Sequence, residues 1–205
     1  MRELTGNRIK TSQITKIAIL SALAGIIMYF ETTLPFMPPF LKIDLSEIPA
    51  LIGSFALGPI SGIFIELIKN LIHLPATQTF CVGELANFIM GSFFVATAGY
   101  IYKYKKTRSG AVIAMIFGTL SMTVAASLAN YFFLIDFYAK LYHISMKDLV
   151  DMSTKVNGLV KDLKSLIVFA FIPFNIFKGL VVSLITALIY KHVSPILHSR
   201  HFSGK

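Results

Sequence analysis

The sequence predicts an all-α membrane protein: a bundle of six transmembrane helices with both termini cytoplasmic. Three observations carry that expectation. Of 205 residues, 55% are hydrophobic and only 14% are charged, with a mean hydropathy of +0.72. A soluble domain cannot hide that much apolar surface, whereas a bilayer solvates it. The apolar residues lie in long runs punctuated by prolines, glycines and short charged clusters. The excess of basic residues, +9 net, falls beside those runs and not on one folded face, which fits membrane topology and excludes nucleic-acid binding. Residues 1–205 are expected to form a single polytopic membrane domain. The first run lacks a small-residue cleavage site and is followed by further runs, so it reads as a span and not as a cleaved signal peptide. The lone Cys81 forms no internal disulfide.

The first segment spans residues 14–34 and is stopped by Pro35 and the Pro38-Pro39 pair, which cannot continue a helix. Two short apolar stretches follow, 47–57 and 60–74, divided by Gly58-Pro59. Each falls below the roughly 20 residues a lone spanning helix needs. Broken spans of this kind occur where protein covers the freed backbone and often mark a transport site, the alternative being a kinked hairpin without function. The fourth, fifth and sixth segments are 83–102, 111–137 and 166–190. Between the last two, residues 140–164 alternate Lys and Asp around Leu149, Val150, Met152, Val156 and Leu159. An amphipathic surface helix fits there, as a lid over the bundle or as a solvated connector.

Charge sets the orientation. Arg2, Arg8, Lys10 and Lys16 precede the first segment; Lys103, Lys105, Lys106 and Arg108 join the fourth to the fifth; Lys191, Arg200 and Lys205 follow the sixth. Six crossings bring these regions to one face, which the positive-inside rule makes cytoplasmic. Asp44, Glu47, Asp136, Asp148, Asp151 and Asp162 fall on the other.

Threaded this way, several polar residues interrupt the runs within the outer half of the bundle. Glu66 lies near mid-depth, with Lys69 and Asn70 a turn higher and His73 at the interface. Glu84 and Asn87 share a face at the outer end of the fourth segment. Asn130 sits in the fifth, and Asn175 and Lys178 share a face of the sixth. Ionisable and amide groups at this depth face a cavity or one another. Amides supply donors and acceptors and lysine a charged donor, a mixture suited to a heterocycle with carbonyls, ring nitrogens and hydroxyls. Glu66 and Lys69 fit equally a structural ion pair, and Glu84 fits a helix-start carboxylate. No phosphate loop, H-E-x-x-H or G-x-S-x-G motif occurs, and no His/Cys cluster has metal-ligand spacing. No enzyme, catalytic residue, metal or cofactor is therefore expected; an intramembrane enzyme using Glu66, His73 and Glu84 is the rival of a different class. Ala18 and Ala22 are spaced to admit a close helix, either on a partner protein or within the bundle.

These residues carry a family resemblance. Phe40-Leu-Lys-Ile-Asp-Leu-Ser-Glu-Ile-Pro-Ala-Leu-Ile-Gly53, Gly58-Pro-Ile-Ser-Gly62, Glu66-Leu-Ile-Lys-Asn70, Gly83-Glu-Leu-Ala-Asn87, Leu128-Ala-Asn-Tyr131 and Pro173-Phe-Asn-Ile-Phe-Lys178 resemble the substrate-binding (S) subunits of energy-coupling factor (ECF) vitamin transporters, in particular the riboflavin-specific ones. The resemblance implies capture of riboflavin from outside a bacterial cell membrane, with riboflavin as transported ligand and no cofactor. It implies as partners a transmembrane coupling subunit and two cytosolic ATPase subunits. It further implies a gating loop at 35–46 and a binding set of Leu41, Lys42, Asp44, Glu84, Asn87, Asn130, Asn175 and Lys178. Glu66 and Lys69 become a structural pair, and Ala18 and Ala22 the docking site for the coupling subunit. The same scaffold lined for another vitamin or heterocycle is the nearest alternative.

Overall fold

The computed structural model describes residues 11–198, with side chains described as far as residue 190. The cations Arg2, Arg8, Lys10, Arg200 and Lys205 invoked for orientation lie outside the described residues, as does the side chain of Lys191. The described chain runs through α1 (Thr11–Met28), a small hairpin of β1 (Thr32–Thr33) and β2 (Lys42–Ile43), α2 (Glu47–Leu57) and α3 (Pro59–His73). It continues through α4 (Val82–Tyr104), α5 (Arg108–Ala129), α6 (Ile135–Tyr142), α7 (Met146–Thr154), α8 (Leu163–Leu166) and α9 (Ile172–His198). Four stretches are long and apolar enough to cross a membrane: Thr11–Met28, Val82–Tyr104, Arg108–Tyr142 and Leu163–Tyr190.

The helices α2 and α3 are shorter, and the break between them is built by its residues. Gly58 has φ of +103°, a left-handed value that disfavours any side chain, and Pro59 opens α3 where its missing N–H is not needed. The interrupted backbone is re-satisfied by protein. Gly58 N donates to Ser54 O, and the Gln13 amide on α1 donates to Leu57 O at 3.3 Å and to Ser61 Oγ at 3.1 Å. A broken helix in a bilayer needs that cover. Small residues then let the helices approach: Gly62 lies against Ser54 and Val95, Gly99 against Ser54 and Pro59, and Gly118 against Phe94. Around these contacts Leu51, Ile65, Phe94, Val95, Ala98, Ala114 and Val182 form the central core. The outward surface is also apolar, with Ile19, Ile26, Phe117, Val124, Leu184 and Leu188 all exposed, as lipid-facing helices require.

The first segment ends six residues earlier than expected. After Met28 the chain turns, and Thr32 and Thr33 pair with Ile43 and Lys42; hydropathy continues through Leu34 and does not register this change of backbone. The fifth segment runs on to Tyr142 through a π-helical stretch, Asn130–Leu134, and a second π-helical stretch, Ile167–Phe171, joins α8 to α9. The region 140–164 holds α7, opened by a capping box between Ser145 and Asp148. These bonds hold the exposed Asp148 carboxyl below its ordinary value, hydrogen bonding from Ser145 being the largest cause. Of the five apolar residues that punctuate this region, Leu149 and Val150 are buried, whereas Met152, Val156 and Leu159 are exposed. The segment is no solvated connector: Leu149, Val150 and Val160 pack with Leu41, Leu166 and Phe171 in a second core. Exposed Ala18 and Ala22 face away from the bundle, which removes the reading of an internal contact.

Candidate functional site

At the end of the bundle where the β1–β2 hairpin, the start of α4 and α7 meet, a cavity of about 150 Å³ opens. Its polar wall includes Asn87 of α4, Asn130 at the end of α5, and Asn175 and Lys178 of α9, with Lys42 from β2 and Glu47 from the start of α2. Its apolar wall includes Phe40, Leu41, Tyr138, Phe171 and Phe174, and Leu149 of α7 covers it. The exposed Lys103, Lys105, Lys106 and Arg108 lie at the opposite end of α4 and the start of α5.

The two π-helical stretches shape this wall. Asn130 opens the first, and its Nδ2 donates to Ala126 O at 2.8 Å; Asn175 follows the second, and its Nδ2 donates to Phe171 O at 2.8 Å. Each amide is thereby fixed by its own helix while its Oδ1 stays uncommitted. Single π turns recur where helices carry functional groups. No hydrophobic periodicity announces them, so sequence reading placed the asparagines without their mounting.

Beneath the asparagines runs a buried ionic chain. Lys178 Nζ lies 3.0 Å from Asp44 Oδ2 and 2.8 Å from Glu47 Oε1; Lys69 Nζ lies 3.4 Å from Glu47 Oε1 and 2.9 Å from Glu66 Oε2. Lys69 also donates to Ser46 Oγ at 2.8 Å, and Asn87 Nδ2 reaches Asp44 Oδ2 at 3.4 Å. Three carboxylates face two ammonium groups, all almost wholly buried. Burial pushes the Asp44 carboxyl up, but Lys178, Lys69 and the hydrogen bonds from Ser46 outweigh it and hold that group well below the usual carboxylate range. Glu66 fits because α4 presents Gly91, where any side chain would overlap its carboxylate. Gly91→Ala is accordingly expected to destabilise the bundle by about 1–3 kcal/mol through overpacking, read as a lowered Tm in detergent; an unchanged Tm would contradict this packing.

Not every residue of the expected set reaches the cavity. Leu41, Lys42, Asn87, Asn130, Asn175 and Lys178 line it. Asp44 stands behind the wall as the partner of Lys178, and Lys42 is tied to Glu31 at 2.5 Å and to Gln78 at 2.8 Å. Glu84 belongs to a separate cluster, accepting from Thr77 Oγ1 at 2.8 Å and lying 3.0 Å from His73 Nδ1. His73 is buried there against the Tyr29 ring and not interfacial as its position in the sequence implied. Glu66 is thus held by Lys69, apart from the His73–Glu84 pair, and among the described residues no three His, Cys, Asp or Glu side chains converge as metal ligands. Glu47 was missed: a carboxylate at a segment boundary reads as one more outer-face acid, yet it is 2% exposed and contacts both lysines.

The family described as "ECF transporter, substrate-specific component" matches residues 12–190. The riboflavin transporter RibU of Staphylococcus aureus (strain TCH60) is 33% identical over 191 residues, 93% of this chain and 95% of that protein. The riboflavin transporter FmnP of Bacillus subtilis (strain 168) is 30% identical over 189 residues, 91% of this chain and 94% of that protein. Among solved structures, the S component of a bacterial ECF transporter superposes with a TM-score of 0.71 at 32% identity, covering 91% of this chain and 98% of that one. ThiT from Listeria monocytogenes shares the fold at 16% identity, with a TM-score of 0.64 over 90% of this chain and 96% of that one. With its broken α2–α3 span, apolar outer surface and polar cavity at one end, this chain belongs to the family of substrate-specific components of ECF transporters.

Proposed function

We propose that this chain binds riboflavin from the extracellular side of a bacterial plasma membrane and imports it as the S component of an ATP-driven ECF complex. The observation that carries the reading is the cavity wall, where Asn87, Asn130, Asn175 and Lys178 converge from three helices beside the rings of Phe40, Tyr138, Phe171 and Phe174. Riboflavin presents three fused rings with carbonyls and ring nitrogens, and a chain of hydroxyls. Amides and an ammonium hydrogen-bond the polar edge, and aromatic walls take the faces. The names of the relatives, transporters of riboflavin at 30% identity or more over nearly the full chain, point the same way and not toward an enzyme.

The binding set is Leu41, Lys42, Asn87, Asn130, Asn175 and Lys178, with Asp44 acting through Lys178 and Glu84 bracing the neighbouring loop; Glu66 and Lys69 form a structural pair. Residues 1–205 act as one membrane domain with six crossings, α2 and α3 supplying two short ones, and with both termini cytoplasmic. The exposed cations between α4 and α5 support this orientation. The cavity, at about 150 Å³, is smaller than the roughly 300–1,000 Å³ of sites for drug-sized ligands. A tricyclic ligand therefore enters only when the 35–46 loop and α7 yield. The remaining partners are a transmembrane coupling subunit, docked on the exposed face of α1 carrying Ala18 and Ala22, and two cytosolic ATPase subunits. An absorption spectrum of the purified protein is expected to show flavin bands, or to gain them after incubation with riboflavin and removal of the free ligand. A flat spectrum in both conditions contradicts the reading.

A further inference from the structure

Glu47 lines the cavity with one of its two carboxylate oxygens unspent. Its side chain is 2% exposed, its Oε1 holds Lys178 at 2.8 Å and Lys69 at 3.4 Å, and its Oε2 is buried without a hydrogen-bond partner. A polar atom buried without a partner is unfavourable and rare, and in a residue that lines a cavity a bound ligand can supply the missing donor. The adjoining Lys178 has three N–H donors; Asp44 Oδ2 and Glu47 Oε1 take two and leave one. An ammonium donor and a carboxylate acceptor thus stand side by side in one wall. Their complement is a ring edge on which a carbonyl acceptor and an N–H donor are neighbours, as in a lactam or cyclic imide.

We infer that Glu47 is a specificity-determining residue that accepts the ring N–H of a lactam or imide edge while Lys178 donates to the adjacent carbonyl. This rests on the riboflavin reading, since the flavin pyrimidine ring carries such an edge at N3–H between two carbonyls. Asp44 and Lys69 fix the reader: Asp44 draws Lys178 from the loop side, and Lys69 anchors Glu47 to Glu66 on α3. No covalent step is involved; the readout is which ring edges the site accepts.

The test compares riboflavin with N3-methylriboflavin, which keeps both carbonyls and loses the donor. Wild-type protein in detergent is expected to bind the methylated ligand at least about 100-fold more weakly, because a site built for an N–H is left unpaired by its absence. Glu47→Ala is expected to shrink that ratio to below about tenfold. Each lysine keeps one carboxylate in this variant, Glu66 for Lys69 and Asp44 for Lys178. Glu47→Gln, which retains an acceptor oxygen, is expected to restore the preference. A purely structural role for Glu47 lowers affinity for both ligands alike and leaves the ratio unchanged in Glu47→Ala, which overturns the proposal. Equal binding of the two ligands by wild-type protein also overturns it, whether or not either variant folds. Absence of riboflavin binding by wild-type protein overturns instead the functional reading on which it rests.

Discussion

Lys178→Ala is expected to weaken riboflavin binding by about 10- to 100-fold and to lower the Tm of the protein at the same time. The binding loss follows from one charge-assisted hydrogen bond, typically about 1.5–3 kcal/mol. The stability loss follows from the partners left behind. Without Lys178, Asp44 loses the ammonium 3.0 Å away and Glu47 the one 2.8 Å away, so Lys69 alone faces three buried carboxylates. Breaking a buried pair by removing one partner costs about 3–5 kcal/mol. Asn175→Ala separates the two effects: it removes a cavity amide whose only bond is to Phe171 O in its own helix. Its expected result is about tenfold weaker binding with little change in Tm. Flavin-fluorescence titration and thermal unfolding in detergent check both variants. Wild-type affinity in Lys178→Ala and Asn175→Ala would remove these residues from the site.

The contrast between those two variants marks what could be read from residue order. That Asn130, Asn175 and Lys178 belong to one polar wall was legible, because helical periodicity and span direction together fix which end of the bundle a side chain reaches. That Lys178 is already engaged was not: its partner Asp44 lies 134 residues away and meets it only when the loop before α2 folds over the cavity. Glu47 was hidden for the same reason, and so were the aromatic walls, since Phe171 and Phe174 differ in no local way from the exposed Phe169 and Phe177. The α2–α3 break was legible from Gly58-Pro59, because only those residues impose that backbone. The end of α1 and the two π-helical stretches were not, because they leave hydropathy unchanged.

Bulky residues on the outer face of α1 are expected to separate transport from binding. Ala18 and Ala22 lie one turn apart and exposed, flanked by exposed Ile14, Ile19 and Leu23. Small residues in an apolar setting let a partner helix approach closely, and filling them removes that contact without touching the bundle core. Ala18→Phe with Ala22→Phe is therefore expected to abolish riboflavin uptake in cells expressing the coupling subunit and both ATPases, while detergent-purified protein keeps wild-type affinity. Uptake at the wild-type rate would place the coupling subunit on another face. Loss of binding would contradict the exposed position of both alanines.

The polar cavity at the hairpin end of the bundle is the proposed riboflavin site. Its most direct test is titration of purified, ligand-free protein with riboflavin, followed by quenching of flavin fluorescence. Saturable binding of one riboflavin per chain, weakened in Lys178→Ala and Asn175→Ala, is the predicted result. No saturable binding to folded protein, or binding indifferent to both substitutions, would contradict it.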